Sequence, residues 1–129
     1  MITFYRPQVQ ILCEALNNEG INYDESSTFA SFEGINFQLE INTVDAFQGK
    51  EFDVVFLSVA YTFPPDKLSN ENFSRLNVKN LLCVALSRQK KMLIVVGSKS
   101  IFNGEIAFKK VPSMFEVLKI CKEKGYLYE

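Results

Sequence analysis

The run Asp53-Val54-Val55-Phe56-Leu57-Ser58-Val59-Ala60-Tyr61 is apolar apart from Asp53 and Ser58. A strand with one wet face alternates apolar and polar residues, so a nearly continuous run of this length predicts a strand covered on both faces and central in its sheet. Upstream, Phe37-Gln38-Leu39-Glu40-Ile41-Asn42-Thr43-Val44 does alternate, and predicts a half-buried strand. Residues 22–36 are polar and rich in Ser, Glu and Gly with scattered Phe, which reads as loop or weak structure.

At the start of the chain, Ile2-Thr3-Phe4-Tyr5 is β-branched and aromatic and stops at Pro7. Proline suits the opening of a helix, where its missing N–H would have no intrahelical partner. Val9, Leu12, Cys13 and Leu16 then recur at i, i+3, i+4, i+7, and Gly20 supplies the stop. Downstream of the central run, residues 62–72 contain Pro64-Pro65 and read as a surface excursion. Val78, Leu81, Leu82 and Ala85 fall at helical spacing, Met92 to Val96 form a second solid apolar strand closed by Gly97, and a last helix opens at Pro112. That helix carries Met114, Phe115, Leu118 and Cys121 on one face and ends at Gly125. Strands alternating with helices, some strands apolar throughout, predict an α/β layered domain with a largely parallel sheet and modestly more helix than strand.

Leu, Ile, Val and Phe make up 44 of the 129 residues, enough apolar surface for a core and about one domain's length. No apolar run reaches the ~18 residues a bilayer span requires, and no charged leader precedes a long apolar stretch, so the expectation is a soluble, intracellular protein. The chain has no histidine, and Cys13, Cys83 and Cys121 lie far apart. This excludes the usual zinc sites, Ser-His and Cys-His dyads and a disulfide framework. The net charge of −1 conceals an asymmetry: residues 1–64 carry two cations against nine carboxylates, residues 65–129 twelve against six. A phosphate-bearing partner is therefore expected to lean on the second half.

Open parallel sheets bind ligands beyond the carboxyl ends of their strands. Arg6 and Gln8 follow the first predicted strand, and Asp45-Ala46-Phe47-Gln48-Gly49-Lys50-Glu51 follows the second. Gly49-Lys50 is not a phosphate-cradling Walker loop, because Val44 stands where the first glycine belongs and Glu51 where the magnesium-binding hydroxyl belongs. By itself this chain lacks the parts that bind and hydrolyse a nucleoside triphosphate.

Three segments resemble motifs IV, V and VI of superfamily 1 helicases, in that order. They are Ile2-Thr3-Phe4-Tyr5-Arg6-Pro7-Gln8-Val9, Asn42-Thr43-Val44-Asp45-Ala46-Phe47-Gln48-Gly49-Lys50-Glu51-Phe52-Asp53-Val54-Val55, and Leu81-Leu82-Cys83-Val84-Ala85-Leu86-Ser87-Arg88-Gln89-Lys90-Lys91. The first two look most like the branch containing the nonsense-mediated-decay helicases, the third more like the bacterial repair helicases. The likeness covers roughly residues 1–100. It departs from the family at Phe4, where proline is common, at Cys83, where Asn or Tyr is usual, and at Gln89, where Ala is usual.

The resemblance implies a three-layer RecA-like domain with a mainly parallel sheet and no Walker loop of its own. It implies that residues 1–129 are a single, partial C-terminal RecA-like domain of an ATP-dependent helicase. Its partner would be an N-terminal RecA-like domain that holds the Walker loop and shares ATP with magnesium. Arg88 would be the catalytic arginine at the γ-phosphate; Arg6, Gln8, Gln48, Gly49 and Glu51 would lie against the nucleotide; Thr43 would face the backbone of single-stranded nucleic acid. No metal ligand of its own and no membrane contact are expected. The alternative is a stand-alone, non-catalytic binding or regulatory module that keeps the helicase-derived fold.

Overall fold

The structure, a computed structural model, describes residues 1–59 and 70–128. The chain divides into two compact units, Met1–Ala60 with Val84–Val96, and Tyr61–Cys83 with Gly97–Glu129.

The first unit is built on a four-stranded parallel sheet in the order β5-β1-β6-β7, with β1 at Ile2–Thr3, β5 at Asn42–Thr43, β6 at Phe52–Ser58 and β7 at Gln89–Val96. Ile2 pairs with Asn42 on one side and Leu57 on the other, and Phe52 pairs with Gln89. β6 is thus paired along both edges, the central position its composition predicted. Its two faces differ, however: Val55 and Leu57 are buried, while Val54 is 47% and Phe56 39% exposed. The expectation of full cover on both faces is corrected to one buried and one half-open face. The last two residues of the predicted strand, and the predicted excursion as far as Ser69, lie outside the described residues.

Helix α1 spans Arg6–Asn18, with Pro7 in its first turn and buried Val9 on its inner face. Between α1 and β5 the chain departs from expectation. Residues 22–36 are not loop: β2 (Asn22–Asp24), β3 (Phe29–Phe32) and β4 (Ile35–Gln38) form a separate antiparallel sheet. Glu33 and Gly34 both adopt positive φ, 50° and 81°, the geometry of a tight two-residue hairpin. The short alternating segments on each side are easily hidden by their polar residues. The predicted strand 37–44 is likewise divided. Phe37-Gln38 ends β4, Asn42–Thr43 forms β5, and buried Ile41 lies in the link, its N–H donating to the Tyr23 hydroxyl at 3.2 Å. A 3-10 turn at Val44–Phe47 follows, anchored by buried Val44 and Phe47.

In the second unit a 3-10 helix at Asn70–Asn77 buries Phe73 and Leu76. Helix α2, Lys79–Ala85, follows it in sequence. Helices α3 (Lys99–Phe102), α4 (Glu105–Lys110) and α5 (Pro112–Lys124) bury Ile101, Phe102, Ala107 and Met114, and Val111, between α4 and α5, is buried with them. Phe108 and Phe115 meet edge to face at 5.4 Å. α5 starts and stops where its sequence predicts. Pro112 opens it, and Gly125, at φ 73°, closes it in the left-handed conformation that glycine adopts without a Cβ penalty. Among the described residues no helix is long and apolar enough to cross a membrane.

Candidate functional site

The residues singled out by sequence collect at the two ends of β6. At its start, Gly49 turns the chain at φ 81°, with open space where a Cβ would stand. The turn is held by Lys50 N–H donating to the Phe47 carbonyl at 3.1 Å. Phe47 is buried and meets Phe52 edge to face at 5.4 Å, so the Gln48–Glu51 loop is tied at both ends to the core. The Lys50 ammonium is drawn aside to Glu40, 2.6 Å away. Glu51 is exposed and makes no hydrogen bond or ion pair among the described residues.

Arg88 sits beside this loop. Its Nε donates to the Val84 carbonyl at 3.1 Å, one terminal nitrogen to the Lys50 carbonyl at 3.2 Å, and the other to Ser87 Oγ at 2.8 Å. Its own carbonyl accepts from Phe52 N–H at 2.9 Å, which starts the pairing of β6 with β7. A guanidinium has five N–H donors, so three are engaged and one on each terminal nitrogen is left over. The side chain is half-buried and held in a fixed direction with donors to spare. Nearby, Lys91 donates to Asp53 at 2.8 Å, and that bond with its charge holds the Asp53 carboxyl below the usual carboxylate range.

The other end of β6 gathers Arg6, Gln8 and Thr43. Thr3 pairs with both Thr43 and Ser58, so three hydroxyl side chains share one face of the sheet across β5, β1 and β6. Gln8 Nε2 donates to Ser58 Oγ at 3.4 Å, placing the first turn of α1 over this row. Thr3 is completely buried and its Oγ1 has no hydrogen-bond partner among the described residues. Arg6 reaches Asn42 Oδ1 at 3.0 Å and Glu25 at 2.9 Å, and Asn42 Oδ1 also accepts the Thr43 N–H. Among the described residues no side chain caps the N-terminus of α1, and no acidic residue stands in its first turn. Pro7 has no N–H and the Gln8 N–H donates to the Tyr5 carbonyl at 3.1 Å, so it is the partial positive charge of this helix end that favours an anion.

Thr3 aligns with Ser58, and Phe52 with Gln89, so the two clusters are separated by the length of β6, about 20 Å at ~3.3 Å per residue. The structure therefore joins the Gln48–Glu51 loop to Arg88 and places Arg6 and Gln8 with Thr43 instead. Sequence reading passed over Ser87 and the Val84 and Lys50 carbonyls as the holders of Arg88. It also passed over the row Thr43, Thr3, Ser58, whose alignment depends on strand register. Ser87 was visible as the immediate neighbour of Arg88; the carbonyls carry no sequence signal.

The AAA domain family matches residues 1–100. The chain belongs to this family. Within it, the relatives make the chain a superfamily 1 helicase-like domain. An uncharacterized ATP-dependent helicase of Methanocaldococcus jannaschii is 31% identical over 80 residues, 62% of this chain and 11% of that protein. The ATP-dependent helicase upf1 of Schizosaccharomyces pombe is 33% identical over 91 residues, 70% of this chain and 9% of that protein. The putative helicase MOV-10 of Gallus gallus is 32% identical over 98 residues, 71% of this chain and 10% of that protein. The AAA domain chain thus spans about a tenth of the length of these relatives. Its parallel sheet with helical connections is that of a RecA-like α/β domain.

Proposed function

We propose that this chain is the C-terminal RecA-like domain of a superfamily 1 ATP-dependent helicase, and that it completes an ATP site whose Walker loop and magnesium belong to a second RecA-like domain. The observation that carries the reading is the anchoring of Arg88 on the Lys50 carbonyl. A permanently charged, planar donor group is fixed beside an open glycine turn with two N–H groups unspent. An arginine of this kind stabilises charge on the transferring phosphoryl group and is worth ~10³–10⁵ in turnover. Gln48, Gly49 and Glu51 would border the same nucleotide. The space over Gly49 and the spare donors of Arg88 fit the γ-phosphate end of ATP.

Thr43 would meet the backbone of single-stranded nucleic acid at the other end of β6. Arg6, Gln8 and the uncapped start of α1 stand beside it. Their distance from Arg88 supports a contact with a nucleic-acid phosphate rather than with the nucleotide. The test is ATP hydrolysis by the chain alone and by the chain together with its Walker-bearing partner domain, each with and without Arg88→Ala. The expected result is no magnesium-dependent turnover from the chain alone and a loss of about 10³-fold in the assembled motor. Undiminished turnover of the assembled Arg88→Ala protein would overturn the assignment.

A further inference from the structure

None of these roles uses the antiparallel sheet β2-β3-β4, whose two edges are treated differently. The β2 edge is covered by α1: Tyr23 N–H donates to Asn17 Oδ1 at 3.2 Å. The β4 edge is open. Leu39 N–H donates to the Thr28 carbonyl at 3.0 Å, in the register that sets Phe29 opposite Gln38. Antiparallel pairs alternate between exchanging both hydrogen bonds and exchanging none. Ala30 with Phe37 and Phe32 with Ile35 therefore exchange theirs, and the N–H and C=O groups of Asn36 and Gln38 point away from β3. These groups find no partner among the described residues. All four residues of β4 are exposed, and Ile35-Asn36-Phe37-Gln38 contains no lysine, proline or bulge of the kind that normally defends a strand edge.

Charge indicates what the edge accepts. Residues 7–49 carry seven carboxylates and no Lys or Arg. Glu25 and Glu40 are taken by Arg6 and Lys50, whereas Glu33, in the turn that opens β4, has no cationic partner among the described residues. On one face of the sheet Ile35 and Phe37 are exposed. On the other, Asp24 and Phe29 border an open concavity of about 390 Å³. Pairing β4 with its copy in a second chain would use the outward groups of Asn36 and Gln38. The copy would bring no cation to Glu33, since its own edge segment, residues 33–38, holds no Lys or Arg.

We propose that β4 is the docking edge for an extended strand of a partner protein, with basic residues alternating with apolar ones, which joins β2-β3-β4 as a fourth strand. Main-chain hydrogen bonds to Asn36 and Gln38 supply the register, and Glu33, within a segment 7–49 that carries seven carboxylates and no Lys or Arg, selects a basic partner.

The experiment titrates the purified chain into a fluorescently labelled, acetylated Lys-Val-Lys-Val-Lys-Val-Lys peptide at low salt and follows anisotropy. The comparators are the same peptide with Glu for Lys, the peptide N-methylated at alternate residues, and the Gln38→Pro chain. Proline removes one outward N–H and is tolerated on a strand edge. Saturable binding of the basic peptide is expected, with binding about tenfold weaker for the proline variant and for the N-methylated peptide. No binding of the glutamate peptide is expected. Equal binding of the glutamate or N-methylated peptide would overturn the proposal, as would self-association through β4 that excludes the basic peptide. If circular dichroism shows that Gln38→Pro does not fold, the N-methylated peptide alone decides.

Discussion

The Arg88 guanidinium donates to the Lys50 carbonyl at 3.2 Å, joining two segments 38 residues apart in the chain. The bond links the turn before β6 to the turn before β7, so the candidate catalytic arginine is also a structural tie. Arg88→Lys keeps the charge and loses the planar fork. We expect the folded chain to lose about 1–2 kcal/mol with Lys or Ala, since net hydrogen bonds to a charged donor on a half-exposed side chain are modest. Urea unfolding of the isolated chain measures this. In the assembled motor, Arg88→Lys should fall nearer to Arg88→Ala than to wild type, a comparison that separates the fork from the charge.

Gly49 stands at φ 81° with nothing within 4 Å of a Cβ position. Gly49→Ala therefore meets no clash and carries only the left-handed backbone penalty, about 1 kcal/mol. Gly49→Asn should cost less, because asparagine tolerates this region. A pair of denaturation midpoints tests the order. Equal stability of the alanine variant would mean that the turn adopts another conformation.

Thr3 is buried with an Oγ1 that finds no partner among the described residues. Thr3→Val replaces the hydroxyl by a methyl of similar volume and should be neutral or stabilising by about 1 kcal/mol, since an unsatisfied buried hydroxyl costs about that much. Loss of stability in thermal unfolding would show that the hydroxyl has a partner in solution. Binding of a single-stranded oligonucleotide should be unaffected by this variant and weakened by Thr43→Ala if the assignment of Thr43 holds.

Two carboxylates tie stability to acid. Ser26 donates to Asp24 from its hydroxyl at 2.7 Å and its N–H at 2.9 Å, and Lys91 donates to Asp53 at 2.8 Å. These bonds hold both carboxyls below the ordinary value of 3.8. Each contribution is therefore fully present above that value and is lost as pH falls through the lower folded-state pKa. Unfolding followed between about pH 5 and pH 2 should show this loss, and Asp53→Asn should flatten the part due to Lys91.

Local physics made much of this protein readable from its residues. Pro7, Pro112 and Gly125 mark helix ends because proline φ and a left-handed glycine act on immediate neighbours. The apolar run of β6 declares a central strand, paired on both edges, although one of its faces is half-open. The three helicase-like segments likewise stand out in order along the chain. Tertiary structure decided the rest. The hairpin sheet at 22–38 depends on pairing across a tight turn, and only pairing leaves the edge of β4 open. The half-open face of β6 depends on which elements lie over it. The gathering of Gln8 with Ser58 spans 50 residues, and that of Arg88 with Lys50 spans 38. Strand register sets both, and it sends Arg6 and Gln8 to one end of β6 and Arg88 to the other. Periodicity and capping are properties of near neighbours, whereas register is settled only when distant strands compete for the same hydrogen bonds and the same buried face.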